Sequence, residues 1–337
     1  ESLDVNGTIK LDGNYPTGTD NVALGNAALD SVEAGGDNNT AIGSNAGTAI
    51  TTADNNTAVG KDALLSATTG NSNTAVGKLV LSNTTTGTGN TGVGVNALLT
   101  NITGIDNVAI GTNTLNQNTA RRNTAIGVSA LQCNTSGESN SALGHFSLDA
   151  NTTGSNNVGI AGGLGGNTTG SGNIGIGSGS LANNTTCSDN VAVGRSAAQE
   201  TNSSHGIVAI GAYALCKNTS GDNNTAVGFC TLECNTTGAD NVALGVKALA
   251  ANTTASCNIA VGNSALLCNT TGASNTAIGR ASLAANTTAS NNTAIGRSSL
   301  CSNTTGSNNV GVGVESVCSN TTGIKNVGVG LNSLRKV

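Results

Sequence analysis

Small, aliphatic and polar residues alternate along this chain in an order that returns about every 17 residues. Asn224-Thr225-Ala226-Val227-Gly228 shows the unit, and its closing glycine recurs from Gly25 to Gly330. One interval of 18 falls early and one of 16 ends at Gly127, while between Gly144 and Gly177 a copy has degenerated around Ala161. A fixed period of this size marks a stacked-repeat architecture. With the recurring glycine as position 5, position 4 is aliphatic, as in Val59, Val76, Val93, Val227 and Val261. Position 9 is Leu in most copies, among them Leu64, Leu81, Leu215 and Leu249. Positions 2 and 4 alternate with 3 and 5, the two-residue period of a strand. Thr, Val, Ile, Asn and Gly dominate and disfavour helix. The pattern predicts one short strand over positions 1–5, a second extended segment through 8–10 and a third around 12–14. Glycines at 5 and 15 mark the corners.

One copy per coil predicts an all-β chain, a parallel β-solenoid of the β-roll or β-helix kind. About 19 coils at ~4.8 Å give a rod on the order of 90 Å. Like residues then stack on like. Position 4 forms an aliphatic ladder. Position 1 forms an asparagine ladder, including Asn56, Asn73, Asn224, Asn241 and Asn275, and a second runs at position 12 from Asn101 to Asn320, with breaks such as Thr201. A side-chain amide both donates and accepts, so such columns can bond along the stack and satisfy the corners. Positions 3 and 5 leave a nearly bare strip, typified by Ala226, Gly228, Ala243 and Gly245. Another backbone can approach it closely, either the opposite wall of a flattened coil or a neighbouring chain.

Composition narrows this further. Of the 337 residues 1% are aromatic, Trp and Met are absent and Gly numbers 48, so no core of large side chains can form. Charged residues make up 9% with a formal net charge of -5, and no basic stripe points to nucleic acid. No apolar run approaches the ~18 residues that would cross a bilayer as a helix. Residues 1–20 lack the repeat; Ser2 to Leu11 reads as two short strands around Asn6-Gly7, fit to cap the solenoid. Residues 21–337 form the repeat domain. Its last copy lacks a cap-like sequence and its first residue is Glu1, which points to a processed or longer chain.

Candidate chemistry is sparse. There are nine Cys. Cys301 and Cys318 occupy position 10 of adjacent coils, within disulfide range, and Cys216 with Cys234 is a weaker pair. The remaining thiols read as small hydrophobes. Asn-x-Ser/Thr recurs at position 12, where the repeat accounts for it without glycans. Basic residues at position 6, such as Lys61, Lys78, Arg195, Arg280 and Arg297, suit a solvated corner or a stripe for anions. Asp at positions 16–17 reads as turn residues. No triad, nucleophile elbow, phosphate loop or metal-ligand spacing is found, so no enzyme activity, cofactor or metal is expected.

Asn107-Val108-Ala109-Ile110-Gly111 and Asn275-Thr276-Ala277-Ile278-Gly279 resemble the head repeat of trimeric autotransporter adhesins. The long form, with Ala-Leu-x-x-Asn-Thr-Thr-Gly between copies, looks more like repeats of phage and large-virus tail-fibre proteins. The resemblance covers residues 21 to 330 and departs from the adhesin heads in its longer coil. It implies a homotrimer, a structural fibre or adhesin shaft, and an extracellular place on a virion or cell surface. Attachment would be through a receptor, glycan or protein, held on a rigid multivalent shaft. The rival expectation is an ice-binding solenoid using the Thr rows at positions 13 and 14.

Overall fold

The computed structural model describes residues 17–335. The lead-in strands expected around Asn6-Gly7 lie outside the described residues. The chain is a parallel β-solenoid, and no helix occurs among the described residues. It divides into two compact units between Thr153 and Gly154. In the first, eight strands run from β1 (Val22–Leu24) to β8 (Ser141–Leu143). In the second, eleven run from β9 (Val158–Ile160) to β19 (Val327–Val329). Each strand is three residues long and pairs in parallel with that of the next coil in its own unit, at equal repeat positions. Thr225, Ala226 and Val227 thus face Val242, Ala243 and Leu244, and Thr57, Ala58 and Val59 face Thr74, Ala75 and Val76.

The strand is shorter than the pattern predicts, covering positions 2–4. Positions 8–10 are not extended. Two tight turns take their place, closed by Ala248 N–H to Gly245 O (3.2 Å) and Asn252 N–H to Leu249 O (3.1 Å). Position 7 (Lys247, φ 57°) and position 9 (Leu249, φ 51°) both adopt left-handed backbone. That conformation costs a non-glycine residue about 1–2 kcal/mol. For leucine it is offset by burial of the side chain, worth about 1.5–3 kcal/mol, while the amide still reaches Ala265 O of the next coil at 3.0 Å.

The interior of each coil is narrow. In the coil of Gly245 it holds Ala243, Ala248 and Leu249, flanked by Asn241 and Asn252, all with no exposed surface. Glycine at position 5 is required twice over. Gly245 has φ +127°, and a Cβ there would stand 2.8 Å from the carbonyl of Gly262 in the next coil. At Ala161 the glycine is lost and the corner is one residue shorter, closed by Gly163 N–H to Ile160 O at 3.2 Å. The column survives the deletion, since Asn173 N–H still reaches Asn157 Oδ1 at 2.9 Å. The 16-residue interval before Gly127 is absorbed at position 14. Ala120 supplies the position-15 carbonyl that Asn107 (2.8 Å) and Asn118 (3.0 Å) grip. At Gly47 the usual leucine is missing, and Ile50 from position 12 fills its room, 3.0 Å from where a Cβ would lie.

Candidate functional site

Alternation along a three-residue strand sends position 3 to one side and positions 2 and 4 to the other. Here the small residue points in. Ala226 and Ala243 are fully buried inside the chain, and Gly228 and Gly245 lie against the following coil. Within the chain, the close approach this strip permits is made between its own walls and coils. The aliphatic ladder is continuous within each unit but faces outward. Ile42, Ile110 and Ile126 of the first unit and Ile210, Ile278 and Ile295 of the second are all 38–39% exposed; Val59, Val93, Val227 and Val261 are half-buried and Val76 exposed. No charged residue stands at position 2 or 4 among the described residues. Charge is scattered beside these columns: Arg297 at position 6 and Arg335 at position 10 both reach Glu315 at position 7, at 3.2 and 3.8 Å. Lys61 lies 4.0 Å from Asp62, and the Arg195 guanidinium sits 4.7 Å over the Tyr213 ring.

The two asparagine ladders are buried and converge on one carbonyl. Asn224 Nδ2 and Asn235 Nδ2 both donate to Gly238 O, at 2.7 and 2.9 Å. Along the stack, Asn241 N–H donates to Asn224 Oδ1 at 3.0 Å and Asn235 Nδ2 to Asn218 Oδ1 at 2.7 Å. The same holds for Asn73 on Asn56 at 2.9 Å and for Asn275 on Asn258 at 2.9 Å. The ladders break in successive coils, where Thr201 replaces the position-12 asparagine of one and Ile207 the position-1 asparagine of the next. Thr201 Oγ1 and Asn184 Oδ1 are left without hydrogen bonds there.

A third column was not anticipated. At position 16 a side-chain acceptor takes the amide of the preceding coil: Asp37 N–H to Asp54 Oδ1 and Asp54 N–H to Asn71 Oδ1, both 2.8 Å. His205 fits the same slot, its Nδ1 accepting from Ser188 N–H at 3.1 Å while its own N–H reaches Asp222 Oδ1 at 2.8 Å. The recurrence of Asp, Asn and Ser at this position was the available signal. The threonine hydroxyls of position 13 bond forward likewise, Thr236 to Thr253 O and Thr253 to Thr270 O at 3.0 and 3.1 Å. Thr237 and Thr254 at position 14 are exposed.

Cys301 and Cys318 are joined as a disulfide between adjacent coils, with Cα atoms 5.1 Å apart. Cys216 and Cys234 are not joined. Burial, followed by the nearby Glu200, raises the Cys216 thiol. Burial, then a hydrogen bond to Glu233, pushes Cys230 up to about 11. Among the described residues no group of three or more His, Cys, Asp and Glu side chains could hold a metal ion. No protein-family model matches the chain, and no curated protein matches it.

Proposed function

We propose that this chain is the shaft of an extracellular fibre on a virion or cell surface, in which three copies pack through their outward sheet faces. The single observation behind the reading is the uncharged column pair at positions 2 and 4, aliphatic throughout at position 4. Exposed apolar surface of this regularity is unusual on a monomer. An uncharged centre with charge confined to scattered flanking positions has the composition of a subunit interface. The number three comes from the resemblance of the repeat to trimeric fibre proteins. Because the face is built from hydrogen-bonded strands, it would hold neighbouring copies in fixed register. The coils are held by ladders along the stack rather than by a thick core, which suits a stiff spacer presenting several receptor contacts at once.

Light scattering on the intact chain tests this. The expected mass is a trimer of the 32.6 kDa chain, and Val208→Lys with Val242→Lys should convert it to monomer with an unchanged circular dichroism spectrum. A monomeric unmodified chain overturns the reading. One observation favours the rival. In the second unit, position-13 hydroxyls are pinned to carbonyls while position-14 threonines stand exposed beside them, giving a regular hydroxyl–methyl row of the kind an ice-binding face uses. In that case the chain is monomeric and shows thermal hysteresis.

A further inference from the structure

The Asn-Thr-Thr copies satisfy the acceptor pattern for N-linked glycosylation, Asn-x-Ser/Thr. Transfer of a sugar from a lipid-pyrophosphate-linked oligosaccharide breaks the C1–O bond to the pyrophosphate. It forms a bond from C1 to the asparagine Nδ2, and one amide proton leaves with the enzyme's base. The product amide keeps a single N–H.

At position 12 the fold uses both. Asn235 Nδ2 donates to Asn218 Oδ1 at 2.7 Å and to Gly238 O at 2.9 Å. Asn252 does so to Asn235 Oδ1 and Ala255 O at 2.8 and 3.0 Å. Asn286 does so to Asn269 Oδ1 and Ala289 O at 2.8 and 2.9 Å. None of the three has any exposed surface. A sugar on Nδ2 therefore removes one rung, leaves a buried acceptor unpaired, and must fit where no space exists.

The sequence hides a second set of the same motif. Asn38, Asn55, Asn223 and Asn291, at position 17, each precede Asn-Thr and complete Asn-x-Thr through the threonine of position 2. All four are exposed and hold left-handed backbone at the corner, with φ of 55–60°. Asn223 Nδ2 reaches only the Asp240 carboxylate at 3.2 Å, on the exposed surface.

We propose that coil and glycan are mutually exclusive at position 12, and that the folded chain accepts N-linked glycans at the position-17 asparagines instead. The motif that is frequent in the sequence is thus closed by the fold, and the one that is rare is open.

The test is secretion of the chain from a eukaryotic cell, followed by glycopeptide mapping of the protease-resistant fraction. Glycan is expected on Asn223 and Asn291 and none on Asn235, Asn252 or Asn286. Thr237→Ala, Thr254→Ala and Thr288→Ala together remove three position-12 acceptors at exposed residues outside the ladder. They should raise the yield of resistant protein several-fold, with its circular dichroism matching that of protein made in a bacterial cytosol. Glycan on Asn235 in resistant protein overturns the exclusion. Resistant protein bare at position 17 overturns the assignment of the acceptors.

Discussion

The two units build the same coil with different walls. In the first, position 12 opens with Val32, Ile50, Ala67 and Thr84 and turns to asparagine only at Asn101. In the second, asparagine holds the column from Asn167 to Asn320 with one break, at Thr201. The outward face differs too. Position 2 is mostly threonine in the first unit, as in Thr40, Thr57, Thr74 and Thr91, and mostly aliphatic in the second, as in Val158, Ile174, Val191 and Val208. What varies least is the strand-side alanine or glycine, the position-5 glycine, lost only at Ala161, and the position-9 leucine, replaced at Gly47, Ala198 and Val317. Backbone geometry and the leucine column therefore define the coil. Position 12 needs only a side chain that fills space or one that satisfies its neighbours. Ile50 does the first beside Gly47, and Asn235 does the second.

The leucine column should give the largest effect and the least difference between units. Leu81→Ala and Leu249→Ala, both fully buried, should each cost about 2–5 kcal/mol. Hydrogen exchange and urea denaturation would report it, and costs that differ by more than twofold would break the claim of a shared core. The asparagine column should sharpen the contrast between walls. Asn235→Ala leaves Asn218 Oδ1, Asn252 Nδ2 and the Gly238 carbonyl short of partners, a loss of about 1–3 kcal/mol. Thr201→Asn supplies Asn184 Oδ1 with the donor it lacks and should gain about 1 kcal/mol in the same assay. A destabilised T201N chain would mean that Ile207, which opens the next coil, excludes the amide.

Thiol chemistry gives the smallest signal. A raised pKa keeps more of a thiol protonated and unreactive at a given pH. Alkylation at pH 8, followed by mass spectrometry, should label exposed Cys257 and Cys268 first and Cys230, at about 11, last. Cys133, the single cysteine of the first unit, is raised by burial and then by Asp149 and should fall between them. Raising the pH toward 11 should close the gap.

The period, the parallel stacking and both asparagine columns were legible in the chain, because a repeat prints its register on every copy. Two things were not. Alternation separates the faces of a strand but does not say which is inside. Hydrophobicity favours Val227 over Ala226 for the interior, yet position 3 faces the leucine of the preceding coil closely: a Cβ at Gly175 would stand 2.8 Å from Leu164 and one at Gly311 3.2 Å from Leu300. The turns at positions 6–11 were hidden for another reason. Leucine and lysine rarely take left-handed backbone, so Leu249 and Lys247 read as extended residues until the hydrogen bonds of neighbouring coils are in view. The bare strip suggested close packing but not where, and Ala226 and Gly228 spend it within one chain.

The register bears on how such a gene changes. Contacts that run along each ladder join a coil to the copy before or after it at the same position, as Asn241 does to Asn224. Excising residues 241–257 would bring Asp240 next to Asn258 with each column still in step. Unequal recombination between copies can thus add or remove a rung without passing through an unfoldable intermediate, so the number of coils can be inherited as a freely adjustable trait.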